Sequence, residues 1–73
     1  LRVVRGTSVV ALFKELEDGK VRVSLRSRDT IEVGPIARAM GGGGHAMAAG
    51  YTSDTSIEES IKTLVGVLQD AQQ

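Results

Sequence analysis

The chain has 73 residues, nine Lys or Arg against nine Asp or Glu, no cysteine, and only Phe13 and Tyr51 as aromatics. That length suits one small domain, residues 1–73, which buries only about 60% of the surface its unfolded chain exposes. No disulfide or thiolate zinc site can staple it, so Val, Leu, Ile and Ala must supply the packing. No signal peptide is evident, and no apolar run is long enough to cross a bilayer.

The first element is residues 7–17, "TSVVALFKELE", β-branched and apolar on both faces, which places it inside a sheet. Residues 20–28, "KVRVSLRSR", alternate strictly: Val21, Val23 and Leu25 point one way, Arg22, Ser24 and Arg26 the other. Asp18-Gly19 between them signals a hairpin, because both residues tolerate positive φ. A two-residue turn would set Leu12 opposite Leu25 and Leu16 opposite Val21. A three-residue turn with Gly19 left-handed would set Phe13 opposite Val23 and Ala11 opposite Leu25. The sequence leaves both registers open, and with them the facing of Lys14 and Arg22.

Gly34 and Pro35 stop the next extended segment, and Pro35 suits the first position of a helix. Ile36, Ala37 and Met40 then share one face of a short helix, which the glycines Gly41 to Gly44 end. "HAMAA" can form a further helical turn before Gly50, and "YTSDT" a short third strand. Ile57, Ile61, Leu64, Val65 and Leu68 form a helix-period stripe. Ser56 with Glu59, or Thr55 with Glu58, offers a capping box for that helix. The expected fold is α+β: a small, mainly antiparallel sheet of a hairpin plus a short third strand. A C-terminal amphipathic helix and two short helices around the glycine-rich loop pack it.

Charge is uneven along the chain. Residues 1–50 hold eight Lys or Arg against five Asp or Glu, while residues 51–73 hold Lys62 against Asp54, Glu58, Glu59 and Asp70. A basic working face opposed to an acidic one would give this pattern, and so would chance. The stretch "GGGGHAMAAG", residues 41–50, carries more information. Four glycines inside so small a unit read less as a linker than as a backbone turn able to present N–H groups to an anion. It is not a P-loop, because no Gly-Lys-Ser/Thr follows. It is not a dinucleotide fingerprint either, because Ala46 and Met47 occupy the place of the last glycine. His45 has no second histidine and no obvious carboxylate partners, which argues against a metal site and for contact with a ligand. Ser24 and Arg26 on one strand face could complete a phosphate shell, Arg26 through its planar fork. No nucleophilic triad and no aromatic stacking platform is visible.

From Val23 to Gly50 the chain resembles the C-terminal DHH-associated domain of the DHH phosphoesterase superfamily, in its nanoRNase, pAp-phosphatase and RecJ-like branch. The residues that carry the likeness are Ser24-Leu25-Arg26-Ser27, Ile36-Ala37, Gly42-Gly43-Gly44-His45 and Ala48-Ala49-Gly50. "LFKELEDGKV" also looks like that family's first hairpin, and the resemblance runs roughly from Gly6 to the last helix. It implies that Ser24, Arg26 and Ser27 hold substrate phosphate, that Gly42, Gly43 and Gly44 present backbone N–H groups, and that His45 contacts substrate. It further implies a division of labour. The two divalent ions of such enzymes, usually manganese, belong to a separate N-terminal DHH domain of the same polypeptide, which supplies the catalytic groups. This chain has no Asp-His-His triplet, so it is expected to hold no cofactor and no catalytic residue of its own. Starting at Leu1 rather than Met, it is expected to be a fragment of a longer, cytoplasmic phosphoesterase, without membrane contact. The expected ligand is a short oligonucleotide, pAp or another phosphate-bearing nucleotide. A cyclic dinucleotide phosphodiesterase, or a stand-alone RNA- or DNA-binding module, is the alternative.

Overall fold

A computed structural model describes residues 1–6 and 8–71. Its elements run β1 (Arg2–Arg5), β2 (Val9–Glu15), β3 (Val21–Ser27), α1 (Val33–Ala39), β4 (Gly43–Gly44), β5 (Ala48–Ser53) and α2 (Ile57–Ala71). The strands form one antiparallel sheet in the order β1-β2-β3-β5-β4. The α+β expectation holds, with a sheet wider than the sequence suggested.

The β2–β3 hairpin takes the register of the longer turn, with Phe13 opposite Val23 and Ala11 opposite Leu25. Leu16 N–H donates to Lys20 O, Gly19 N–H donates to Leu16 O, and Gly19 stands at φ 86°. A Cβ is disfavoured at that backbone angle, and Gly19 supplies the left-handed residue this turn needs. The choice matters for burial. It puts Val9, Ala11 and Phe13 on one face with Val21, Val23, Leu25 and Tyr51, and all seven are buried.

Both helices lie on that face. From α1 come Val33, Ile36 and Ala37; from α2 comes Leu64, flanked by Ile57, Ile61, Val67 and Leu68. Val67 packs against the core where Val65 was expected, since the α2 stripe is centred on Leu64. Ser60 is the one buried polar residue of the described chain, and its hydroxyl donates to Ser53 Oγ at 2.7 Å. Ser56 caps α2 by accepting from Glu59 N–H at 3.2 Å, as a helix N-terminus requires.

Four local expectations change. Helix α1 begins at Val33, not Pro35; Pro35 still falls among the first N–H positions, which have no intrahelical partner. The extended reading of residues 48–53 starts three residues before Tyr51. Two strands went unforeseen, β1 and the glycine strand β4. Residues 45–49 form no helical turn. Alanine favours helix, but Ala48 and Ala49 pair instead with Arg26 and Leu25 of β3, and the sheet outweighs the local preference.

Candidate phosphate-binding face

The helices cover one side of the sheet and leave the other open. Three rows of side chains cross this open side, because residues paired across strands share a face. Leu12, Ser24, Gly50 and Gly43 make the middle row. Val10, Arg26 and Ala48 make the row on one side; Lys14, Arg22 and Thr52 make the row on the other. Val3 and Arg5 of β1 extend the face beside Leu12 and Val10.

The glycine run is held from both ends. Gly41, at φ 91°, closes α1 with its N–H donated to Arg38 O, and Gly42 N–H reaches back to Ala37 O at 2.8 Å. That pair of bonds is the Schellman closure of a helix, for which a left-handed glycine is suited. Downstream, His45 and Ala48 exchange N–H···O bonds of 2.8 and 3.3 Å around the Ala46-Met47 turn. The turn is clamped from outside: Val33 N–H donates to Ala46 O and Ser27 N–H donates to Met47 O.

These bonds decide which predicted site residues come together. The His45–Ala48 pair extends the β4–β5 ladder by one rung, so His45 joins the row of Ala48 and Arg26, about 10 Å from Arg26 across two strand spacings. Gly43 joins the row of Ser24. Ser24, Arg26, Gly43 and His45 therefore share the open face, and Ser24, Arg26 and His45 are exposed.

Ser27 does not join them. It faces the helix side, and its hydroxyl donates to Asp29 O and accepts from Asp29 N–H in a local turn. Gly42 and Gly44 have structural duties. A Cβ on Gly42 would lie 2.1 Å from Gly50 O, and one on Gly44 would lie 2.5 Å from Ala49 Cα. The N–H of Gly42 is committed to α1. In an antiparallel ladder bonded and non-bonded pairs alternate. With His45–Ala48 bonded, Gly44–Ala49 is the non-bonded pair, and the Gly44 N–H points outward from the sheet edge. Of the three glycines expected to offer donors, Gly44 is the one left free to do so. No helix starts after the glycines, so no helix dipole assists them.

The electrostatics are one-sided. Arg5, Lys14, Arg22 and Arg26 stand on the open face, and no carboxylate shares it on the described strands. The ion pair found among the described residues, Lys20 with Asp54 at 3.6 Å, lies elsewhere. The alternation of β3 puts Arg22 on the face of Ser24 and Arg26 whatever the hairpin register, and the register sets Lys14 opposite it. A Cβ on Gly50 would meet both the Val23 carbonyl oxygen and Arg22 Nη2 at 2.8 Å. Its absence lets the guanidinium lie across β5, where Nη1 donates to Thr52 Oγ1 at 3.4 Å.

A concavity between the end of β5 and α2, lined by Tyr51, Ser53, Thr55, Ser60 and Thr63, is a poorer place for an anion. Asp54 is its charged lining residue. The Tyr51 hydroxyl is buried without a partner, and burial pushes its pKa up to about 12. No three His, Asp or Glu side chains group closely enough to hold a metal ion among the described residues. No described helix is long and apolar enough to cross a membrane.

The DHHA1 domain family matches residues 1–73. The bifunctional oligoribonuclease and PAP phosphatase NrnA of Thermus thermophilus is 44% identical over 52 residues, covering 71% of this chain and 16% of that protein. The chain thus spans a small part of the relative it matches. On the extent of the family match and this identity, the chain belongs to the DHHA1, or DHH-associated, domain family.

Proposed function

We propose that this domain grips the phosphates of a short oligonucleotide or of pAp for a DHH-family phosphoesterase. The observation that carries the reading is the convergence of Ser24, Arg26, Gly43 and His45 on an open face with four cations and no carboxylate on its described strands. A guanidinium and a hydroxyl beside a backbone N–H form a natural shell for phosphate oxygens. The name of the Thermus thermophilus relative, which couples oligoribonuclease with PAP phosphatase, supports the same ligand class. On this reading the bond-breaking groups and the divalent metal, manganese in the simplest case, belong to a DHH domain of the same cytoplasmic polypeptide. Ser24, Arg26, Gly43, Gly44 and His45 position substrate, and Ser27 and Gly42 shape the fold around them.

Two measurements test this. Titrating the labelled domain with pAp or a dinucleotide should shift the Gly44 and His45 amide signals, and unshifted signals at millimolar ligand would count against the reading. In the full-length enzyme, Arg26→Ala removes a charge-assisted hydrogen bond worth about 1.5–3 kcal/mol. It should lower kcat/KM by about tenfold to a hundredfold and leave the melting temperature in place. An unchanged kcat/KM would make Arg26 an ordinary surface arginine.

A further inference from the structure

We propose that the concavity beside the end of β5, on the helix side of the sheet, is a second binding site that takes an uncharged nucleoside and holds the amide-like edge of its base. The site stands apart from the phosphate-gripping face, and its ligand needs no phosphate. Three observations carry it.

First, Thr52 has a free main chain at the sheet edge. Bonded and non-bonded pairs alternate along an antiparallel ladder. Ala48 is bonded to His45 on the β4 side, so the N–H and C=O of Gly50 and of Thr52 point to that side as well. Strand β4 reaches only as far as Gly43, opposite Gly50. Just upstream, the N–H groups of Gly41 and Gly42 turn back to α1. Among the described residues, no strand lies across from Thr52 to take its outward N–H and C=O.

Second, those two groups face the concavity. Thr52 lines it, yet its side chain is turned to the open face, where it accepts from Arg22 Nη1. Main chain is what Thr52 offers to the helix side. A donor and an acceptor pointing the same way from one extended residue match an adjacent acceptor and donor on a flat amide. The imide edge of uracil and the lactam edge of guanine are such groups. A peptide strand would find little to pair with, because β5 ends at Ser53, so this edge suits a small planar ligand.

Third, the rest of the lining fits the rest of a nucleoside. The cavity volume is about 310 Å³, within the range of small-molecule sites. Met40, half-buried just past α1, supplies a thioether, which packs well against a ring. The hydroxyls of Ser53, Thr55 and Ser60 bond one another at 2.7, 2.9 and 3.1 Å. They form a fixed polar wall with acceptor capacity left over for sugar hydroxyls, and exposed Thr63 adds another hydroxyl. Asp54 is the charged lining residue, and no Lys or Arg lines the cavity among the described residues. That disfavours phosphate and favours a neutral ligand.

The test titrates the isotope-labelled full-length protein with uridine, 3-methyluridine and ribose, following backbone amide signals. Uridine should shift Thr52 and Thr63. 3-Methyluridine, which lacks the ring N–H that donates to Thr52 O, should bind about two- to tenfold more weakly. Ribose alone should shift neither signal. Thr52→Pro removes the N–H at an edge position where a strand accepts proline, and should weaken the response at Thr63 by a similar factor. Thr52→Ala loses only the side-chain contact and should respond as the parent does. No shift at Thr52 and Thr63 with about 10 mM uridine, a concentration that detects even millimolar binding, would overturn the site. So would equal binding of uridine and 3-methyluridine, which needs no variant to fold. Uridine shifts confined to Gly44 and His45 would place the nucleoside on the phosphate face and overturn the second site too. The phosphate reading is tested separately by pAp at Gly44 and His45, so either reading can fall alone. A melting curve on Thr52→Pro separates loss of fold from loss of the donor.

Discussion

Gly42 and Gly43 are neighbours in one run of glycines, yet alanine should act on them in opposite ways. At Gly42 a Cβ would stand 2.1 Å from Gly50 O, 2.6 Å from Tyr51 Cβ and 2.7 Å from Tyr51 Cα. Comfortable contact between such atoms begins near about 3.5 Å, so each gap is short by roughly an ångström. Neither side can yield easily. Gly42 is tied to Ala37 O, and β5 is locked in its ladder with β3. Overpacking costs typically about 1–3 kcal/mol, and a clash with backbone on a pinned strand belongs at the upper end. A chain of this size has a total stability of about 4–11 kcal/mol. At about 4–8 °C per kcal/mol for so small a domain, Gly42→Ala should lower the melting temperature by about 12–24 °C.

At Gly43 a Cβ meets nothing within 4 Å, and φ is outside the left-handed region. Gly43→Ala should melt within about 0.5 kcal/mol of the parent, or gain slightly because the unfolded chain is stiffened. Its methyl group would instead enter the row of Gly50 and Ser24, where a phosphate would sit. Ligand titration should therefore weaken for Gly43→Ala while its melting curve holds. Circular dichroism melts of the two variants side by side decide the matter. If they melted within about 2 °C of each other, the assignment of one glycine to packing and the other to access would be wrong.

Two further outcomes concern the scaffold. The raised pKa of Tyr51 means the folded state keeps its phenolic proton where the unfolded chain, titrating near about 10, releases it. That stabilisation is present in full below pH 10 and is lost as pH rises towards 12, with a slope of up to about 1.4 kcal/mol per pH unit. Tyr51→Phe should abolish the slope, and by removing an unpartnered hydroxyl it should leave neutral-pH stability equal or higher; alkaline melts check both. Ser56→Ala removes the cap on Glu59 N–H and should cost about 1 kcal/mol, measured by urea denaturation.

Where periodicity speaks, the sequence is legible. The alternation from Val21 to Arg26 gave the buried and open faces of β3, and hence the shared facing of Ser24 and Arg26. The spacing of Ile57, Ile61, Leu64 and Leu68 gave α2 and its buried side, with an error confined to Val65 and Val67. Where an element exists because of its partner, sequence is mute. Gly43 and Gly44 have no strand propensity and become β4 only by pairing with Gly50 and Ala49. Ala48 and Ala49 carry a helix preference that β3 overrides. Arg2 to Arg5 is too short to show a period, and β2 makes it a strand. The site divides in the same way. Ser24, Arg26 and His45 were visible as chemistry, and the donor capacity of each glycine was not. It depends on which N–H groups the Schellman closure and the hairpin consume.

The sheet order also ties ligand binding to the completeness of folding. Strands β1, β2 and β3 form a local meander, whereas β5 and β4 arrive only after the chain has passed through α1. Ser24 and Arg26 stand on the first part, Gly43 and His45 on the second. On the function proposed above, a phosphate held between them would bridge the seam that closes last in sequence terms and would bind the native state alone. By mass action, ligand at a hundred times its dissociation constant adds about 2.7 kcal/mol to stability, a large share of what a 73-residue chain possesses. On the function proposed above, substrate would act as a structural clasp, and occupancy of the face could be read from the melting temperature without any turnover.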